Sequence, residues 1–188
     1  LDSTNQEDLE RSQSFLHLIC RKANWMVSLY LDITRAQKTG SIPCKETLFD
    51  LAELGRDVSD FLNQSLELES QKPRIDFQGE SVLVLGDQDR MWQAVANVVG
   101  NALKHTPLRS PVHVVVETDG QEGTLSVIDE GQGICPDIQP TIFDPFVQAK
   151  HDRQGAGLGL WISKMIVESS GGQLELESEL GKGSTFKI

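Results

Sequence analysis

The sequence predicts an α+β fold: a two-layer α/β sandwich preceded by a long helix. Three observations lead there. A heptad-patterned stretch occupies the first 38 residues. Amphipathic helical stretches and short β-rich runs then share the rest of the chain. The turn residues between the runs allow antiparallel neighbours, so the sheet should be mixed, mostly antiparallel and covered by helices on one face.

Residues 6 to 38 read as a single helix, with Leu9, Leu16, Ile19, Ala23, Met26, Tyr30 and Ile33 on a seam of threes and fours that skips one position at Ser12. Phe15, Leu18, Trp25 and Leu29 widen that seam to the breadth a helical bundle needs. Gly40 and Pro43 in "TGSIPCKE" break the helix, giving a linker over 39–46 between a 1–38 helix and a 47–188 domain. A second helix is expected from Thr47, with Asp50 as its capping partner and Leu51, Leu54, Val58, Phe61 and Leu62 on its buried side. "RIDFQ", "SVLVLGD", "PVHVVVETD" and "GTLSVID" follow as strands, the last two joined by a hairpin at "DG". Asp87 is an N-cap for a helix through "NVVGNALKHT". A further helix follows "GAGLGL", and "GQLELES" and "GSTFKI" close the chain as strands.

Composition narrows the function. The formal net charge is −11, which disfavours general binding to nucleic acid or anionic membranes, though not a local anion site on backbone amides. No apolar run is long enough to span a membrane, and the acidic start is no signal peptide. Cys20, Cys44 and Cys135 lie far apart without CxxC or Cys/His spacing, which fits a reducing cytosol and no zinc site.

Four stretches carry chemistry. In "NVVGNALKHT", Met91, Val95, Val98 and Ala102 form a face to pack on a sheet, while Asn97, Asn101, Lys104 and His105 form a separate stripe. An Asn oxygen is a neutral hard ligand suited to Mg²⁺ whose other ligands are water and phosphate, and Lys104 offers a point charge for phosphate. In "DEGQGI", Gly131 and Gly133 permit close backbone approach to a flat ligand, and Asp129 can accept from an exocyclic amine. "QGAGLGL" sets a glycine-rich loop before a helix start, a phosphate cradle that is neither a P-loop nor part of a βαβ unit. The polar stretch "VQAKHDRQGA" reads as a lid that brings Lys150, His151 and Arg153 to a terminal phosphate. In "IFDPF", Phe143 and Phe146 are expected as core anchors tethering that lid. Taken singly, each stretch also fits a solvated helix face, a tight turn or a surface loop.

In order, the motifs N-x3-N-A-x-K-H, D-x-G-x-G-I, F-D-P-F and G-x-G-L-G-L, followed by S-G-G and G-K-G-S-T-F, resemble the catalytic and ATP-binding domain of sensor histidine kinases. That domain lies within the superfamily shared with Hsp90, gyrase and MutL. The resemblance covers roughly residues 47–188, and the 6–38 helix is similar in place and pattern to the second helix of the family's dimerisation hairpin.

The resemblance implies Mg-ATP as ligand, Asn101 as the Mg²⁺ ligand, and catalytic roles for Asn97 and Lys104. It places His105 against the nucleotide, where the family often has an aromatic ring, and Asp129 on the adenine amino group with Gly131, Gly133 and Ile134 around it. Arg153, Gly155, Gly157, Leu158 and Gly159 fall to the lid and phosphates, and Thr185 to the support of Asp129. Where ATPase branches carry a Glu base, this chain has Asn97, whose amide cannot take a proton near neutral pH, so the γ-phosphoryl group is spared for another acceptor.

That acceptor should be a histidine followed by glutamate, with Arg-Thr-Pro after it. No such context occurs in these residues, and His17 in "SFLHLICRK" lacks it. The implied function is histidine autophosphorylation in two-component signalling. A response-regulator receiver domain is the implied partner, with homodimerisation through the first helix and a cytoplasmic location. The rivals are a regulatory pseudokinase and a serine kinase of the anti-sigma-factor type; four intact motifs disfavour the first and the long heptad helix the second.

Overall fold

The computed structural model describes residues 42–148 and 157–188, together with scattered helical positions between 12 and 34. Of the predicted seam, Leu16, Ile19, Ala23 and Tyr30 are described; they are helical and exposed. Leu9, Met26 and Ile33, the widening residues Phe15, Leu18, Trp25 and Leu29, and His17 lie outside the described residues.

The elements run β1 (Thr47–Asp50), α1 (Leu51–Leu68), β2 (Ile75–Gly79), β3 (Leu83–Gly86), α2 (Gln88–His105), β4 (Val112–Thr118), β5 (Gly123–Asp129), a short 3-10 turn (Gln139–Thr141), α3 (Gly159–Ser169), β6 (Glu175–Glu179) and β7 (Gly183–Lys187). Five strands form the main sheet in the order β2-β4-β5-β7-β6. β2 runs parallel to β4, and every other pair is antiparallel. The predicted mixed, mostly antiparallel sheet is therefore present.

Its inward face follows from side-chain alternation. Val112, Val114 and Val116 on β4, Leu125 and Val127 on β5, and Phe186 on β7 are all buried, while Val115, Ile128 and Thr185 point the other way and are half-exposed. The helices cover that inward face with Leu51, Leu54 and Val58 of α1, Met91, Val95, Val98 and Ala102 of α2, and Ile162 and Ile166 of α3. Each of the larger side chains contributes about 1.5–3 kcal/mol on leaving water. Ser163, fully buried, shares its hydroxyl proton between the Gly159 carbonyl of its own helix at 3.0 Å and the Ala94 carbonyl of α2 at 3.2 Å, which fastens α3 to α2.

One expectation fails here. Residues 47–50 are not the start of a helix: Thr47–Asp50 pairs antiparallel with Leu83–Gly86 as a separate two-stranded ribbon, which buries Phe49. Asp50 is instead the N-cap of α1, its carboxylate accepting from Ala52 N at 2.8 Å and Glu53 N at 3.4 Å. The long-range partner strand decides this, because a four-residue segment has no periodicity of its own to enforce a helix. The run "SVLVLGD" is a strand, as the sequence predicts, and it pairs within the ribbon rather than the main sheet.

Candidate functional site

α2 carries the site along its length. Asp87 caps it, accepting from Arg90 N at 3.1 Å, and Thr106 ends it with an extended backbone before Pro107. Asn97 and His105 are separated by roughly 12 Å along the helix axis at 1.5 Å per residue. That span suits a ligand with a planar group at one end and phosphates at the other.

One end of the site forms where α3 begins. Gly159 is the first residue of α3, and a β-carbon there would stand 3.9 Å from the Asn97 carboxamide and 4.0 Å from Asn101 Nδ2. The amide stripe of α2 therefore adjoins the first residue of α3. Asn97 is 6% exposed, and its Nδ2 is buried without a hydrogen-bond partner. A buried amide nitrogen so placed carries a desolvation cost of about 1–3 kcal/mol that an acceptor oxygen would relieve. Asn101 is half-buried and Lys104 exposed. Among the described residues no cluster of His, Cys, Asp and Glu could hold a metal by itself. A cation at Asn101 must share ligands with a bound anion and water, which is the usual manner of Mg²⁺.

The opposite end forms around Asp129. The register pairs Val112 with Asp129 and Asp129 with Ser184, so the alternation that buries Leu125 and Val127 also turns this carboxylate inward. Burial raises its pKa above the ordinary aspartate value, against the backbone N–H groups of Gly131 and Ser184 and the nearby His105. Gly131 N donates to Asp129 Oδ1 at 2.8 Å. A β-carbon on Gly131 would stand 2.7 Å from the His105 carbonyl oxygen, so the turn lies directly against the end of α2.

Gly133 has φ +67°, and a β-carbon there would reach 2.1 Å from the Glu179 carbonyl oxygen. The turn is tied to the β6–β7 hairpin, with Ile134 N donating to Ser178 Oγ at 2.8 Å and Gln139 Nε2 to the Ile134 carbonyl at 2.7 Å.

Thr185 does not support Asp129. It pairs with Ile128 on the opposite face, and Ser184 takes its place, buried and 3.0 Å from Ser178 Oγ through its hydroxyl. The signal was in the sequence: Phe186 is the apolar residue of "GSTFKI", and a period of two puts Ser184, not Thr185, on its side. Sequence reading also missed Ser178 and Gln139, which carry no motif of their own.

Phe143 meets its expectation as an anchor, edge-on to Phe186 at 6.4 Å between ring centres. Phe146 does not. It is 66% exposed and sits at φ +67°. There its backbone N–H donates to the Gly157 carbonyl at 2.8 Å, which joins the two ends of the predicted lid. Backbone closure, rather than side-chain burial, is what Phe146 supplies. Gly157 has φ +66°, and Leu158, the N-cap residue of α3, is buried. Lys150, His151, Arg153 and Gly155 lie outside the described residues.

A fold of this order, with an amide-bearing helix, a buried aspartate beside a glycine turn and a glycine at the next helix start, defines a nucleotide-binding domain. The chain belongs to the family described as histidine kinase-, DNA gyrase B-, and HSP90-like ATPase, which matches residues 86–188. It is similar to the sensor protein SrrB of Staphylococcus aureus (strain MRSA252), 31% identical over 98% of this chain and 32% of that protein. The chain thus spans about a third of that relative's length. Among solved structures, full-length ShkA in complex with AMPPNP superposes with a TM-score of 0.71 at 29% identity, covering 93% of this chain and 37% of that one. The nucleotide-free catalytic domain of the histidine kinase ThkA matches with a TM-score of 0.64 at 29% identity, over 76% of this chain and 93% of that one.

Proposed function

We propose that this ATP-binding domain is the catalytic part of a sensor histidine kinase. It binds Mg-ATP and presents the γ-phosphoryl group to a histidine, from which a response-regulator receiver domain takes it. The N-terminal helix joins two copies, and the whole segment works in the cytoplasm. Among the described residues no helix is long and apolar enough to cross a membrane.

The observation that carries the reading is the Asn97 amide, buried and without a partner, beside Asn101 and the first residue of α3. It supports a phosphate-bearing ligand, because an acceptor oxygen there satisfies the orphaned nitrogen. Bound Mg²⁺ supplies charge neutralisation at the phosphates. The chain's own residues do the rest: Asn101 lends its amide oxygen to the cation, and Lys104 adds positive charge at the last turn of α2. Asp129 accepts from the adenine amino group, and the Gly131 and Gly133 turn admits the ring. Asn97 binds without acting as a base, so water is not activated and transfer depends on placement of the acceptor.

Titration calorimetry with AMPPNP in the presence of Mg²⁺ tests this. Asn101→Ala should lower the affinity in Mg²⁺ and leave the weaker affinity measured in EDTA unchanged. An unaltered affinity in Mg²⁺ would refute the metal assignment.

A further inference from the structure

Arg74 precedes β2 in sequence and lies far along the chain from every nucleotide motif. Its guanidinium nonetheless reaches the C-terminal end of α2. Nη1 donates to the carbonyls of Thr106 at 3.3 Å, Pro107 at 3.1 Å and Ser110 at 3.4 Å, and Nη2 donates to the carbonyl of Leu103. None of these acceptors is a carboxylate. The guanidinium is held by carbonyls alone, and burial lowers its pKa from the ordinary arginine value. Nε is buried with no partner at all.

The geometry points to Arg74 as a positioning residue for the adenine end of the site. Its acceptors Leu103 and Thr106 bracket His105, and the His105 carbonyl is the atom that would meet a β-carbon on Gly131 at 2.7 Å. The wall against which the Asp129–Gly131 turn rests is therefore the stretch of backbone that the guanidinium holds. The last carbonyls of a helix have no intrahelical donor, and a planar fork of N–H groups can bind several at once while its charge complements the helix dipole. Arg74 is itself fixed from the other side, its backbone N–H donating to Asn63 Oδ1 of α1 at 3.1 Å. One residue thus couples α1, through its backbone, to the end of α2, through its side chain. An ammonium could supply the charge but not the fork.

This inference rests on the nucleotide reading of the site, and the experiment separates the two. Arg74→Met, Arg74→Lys and Asp129→Asn are compared by calorimetry with adenosine, AMPPNP and inorganic triphosphate in Mg²⁺, at a temperature where circular dichroism shows each variant fully folded. Arg74→Met should raise the Kd for adenosine and for AMPPNP by the same factor, about tenfold, and leave inorganic triphosphate within twofold. Arg74→Lys should recover melting temperature and little of the adenosine affinity.

A merely structural role would weaken all three ligands together or none. Either result, in a folded Arg74→Met protein, overturns the assignment. So does full recovery of adenosine binding by lysine. Loss of adenosine in Asp129→Asn with none in Arg74→Met sinks the Arg74 inference alone. Undiminished adenosine binding in Asp129→Asn sinks the nucleotide reading and this inference with it.

Discussion

Replacing Asp129 by asparagine removes one charge and almost no volume, so its effects on binding and on stability can be separated. In the wild type, Asp129 Oδ1 already accepts from Gly131 N at 2.8 Å. The carboxylate's remaining capacity is what an exocyclic amine would use. An asparagine that keeps its oxygen on Gly131 N turns its NH₂ toward that amine, setting donor against donor. The loss is that of a charge-assisted hydrogen bond, about 1.5–3 kcal/mol, or roughly 10- to 100-fold in Kd.

Stability moves the other way. Burial raises the Asp129 pKa in the folded chain. The folded state therefore holds this proton more tightly than the unfolded chain does. The protonated carboxyl's contribution is fully present below the unfolded value of about 3.9 and is lost as pH rises through the raised folded value. The carboxamide of the Asp129→Asn variant stays neutral throughout and shows no such loss. At pH 7 the ligand-free variant should melt no lower than wild type, and the gap between them should open as pH rises from about 4. Calorimetry with AMPPNP and melting curves from pH 4 to 8 check both halves. A Kd within twofold of wild type, or a lower melting temperature at pH 7, would refute the reasoning.

Ser184→Ala should remove the hydroxyl pair with Ser178 and weaken nucleotide binding by about 1 kcal/mol, roughly fivefold in Kd, while Thr185→Val stays within twofold; the reverse order in calorimetry would restore Thr185 to the site. Phe146→Gly should stabilise the fold by up to about 1 kcal/mol by relieving a left-handed backbone, whereas Phe143→Ala should cost about 2 kcal/mol through its contact with Phe186. Thermal melting reads both, and a loss at Phe146 would show that its ring is an anchor after all. Asn97→Glu should supply the missing base and raise phosphate release from ATP by about tenfold or more; release at the wild-type rate would remove the argument that an amide at this position spares the γ-phosphoryl group.

Much of the fold was legible because local chemistry and tertiary structure agree. The alternation in "PVHVVVETD" and "GTLSVID" names the buried faces of β4 and β5 before any partner is known. Asp87 starts α2 where an N-cap predicts it, and the two faces of that helix, apolar and amide-bearing, are set by the 3.6-residue period. The separation of Asn97 and Asn101 from the core face needs no more than that.

Where the reading went wrong, the deciding information was long-range. Thr47–Asp50 becomes a strand because Leu83–Gly86 is there to pair with it. Phe146 looks like an anchor in "IFDPF", yet a backbone bond to Gly157 holds it in a conformation that turns its ring to solvent.

The sequence by itself determined which residues share a face and what each can donate, accept or ligate. These properties are local, settled by side-chain chemistry and by two short periods. Only the tertiary structure decided that Thr47–Asp50 pairs as a strand, that the Asn97 amide is buried without a partner, and that Arg74 closes the end of α2. Strand register, burial and contacts between residues tens of positions apart depend on the packing of several elements at once, and no local pattern encodes them.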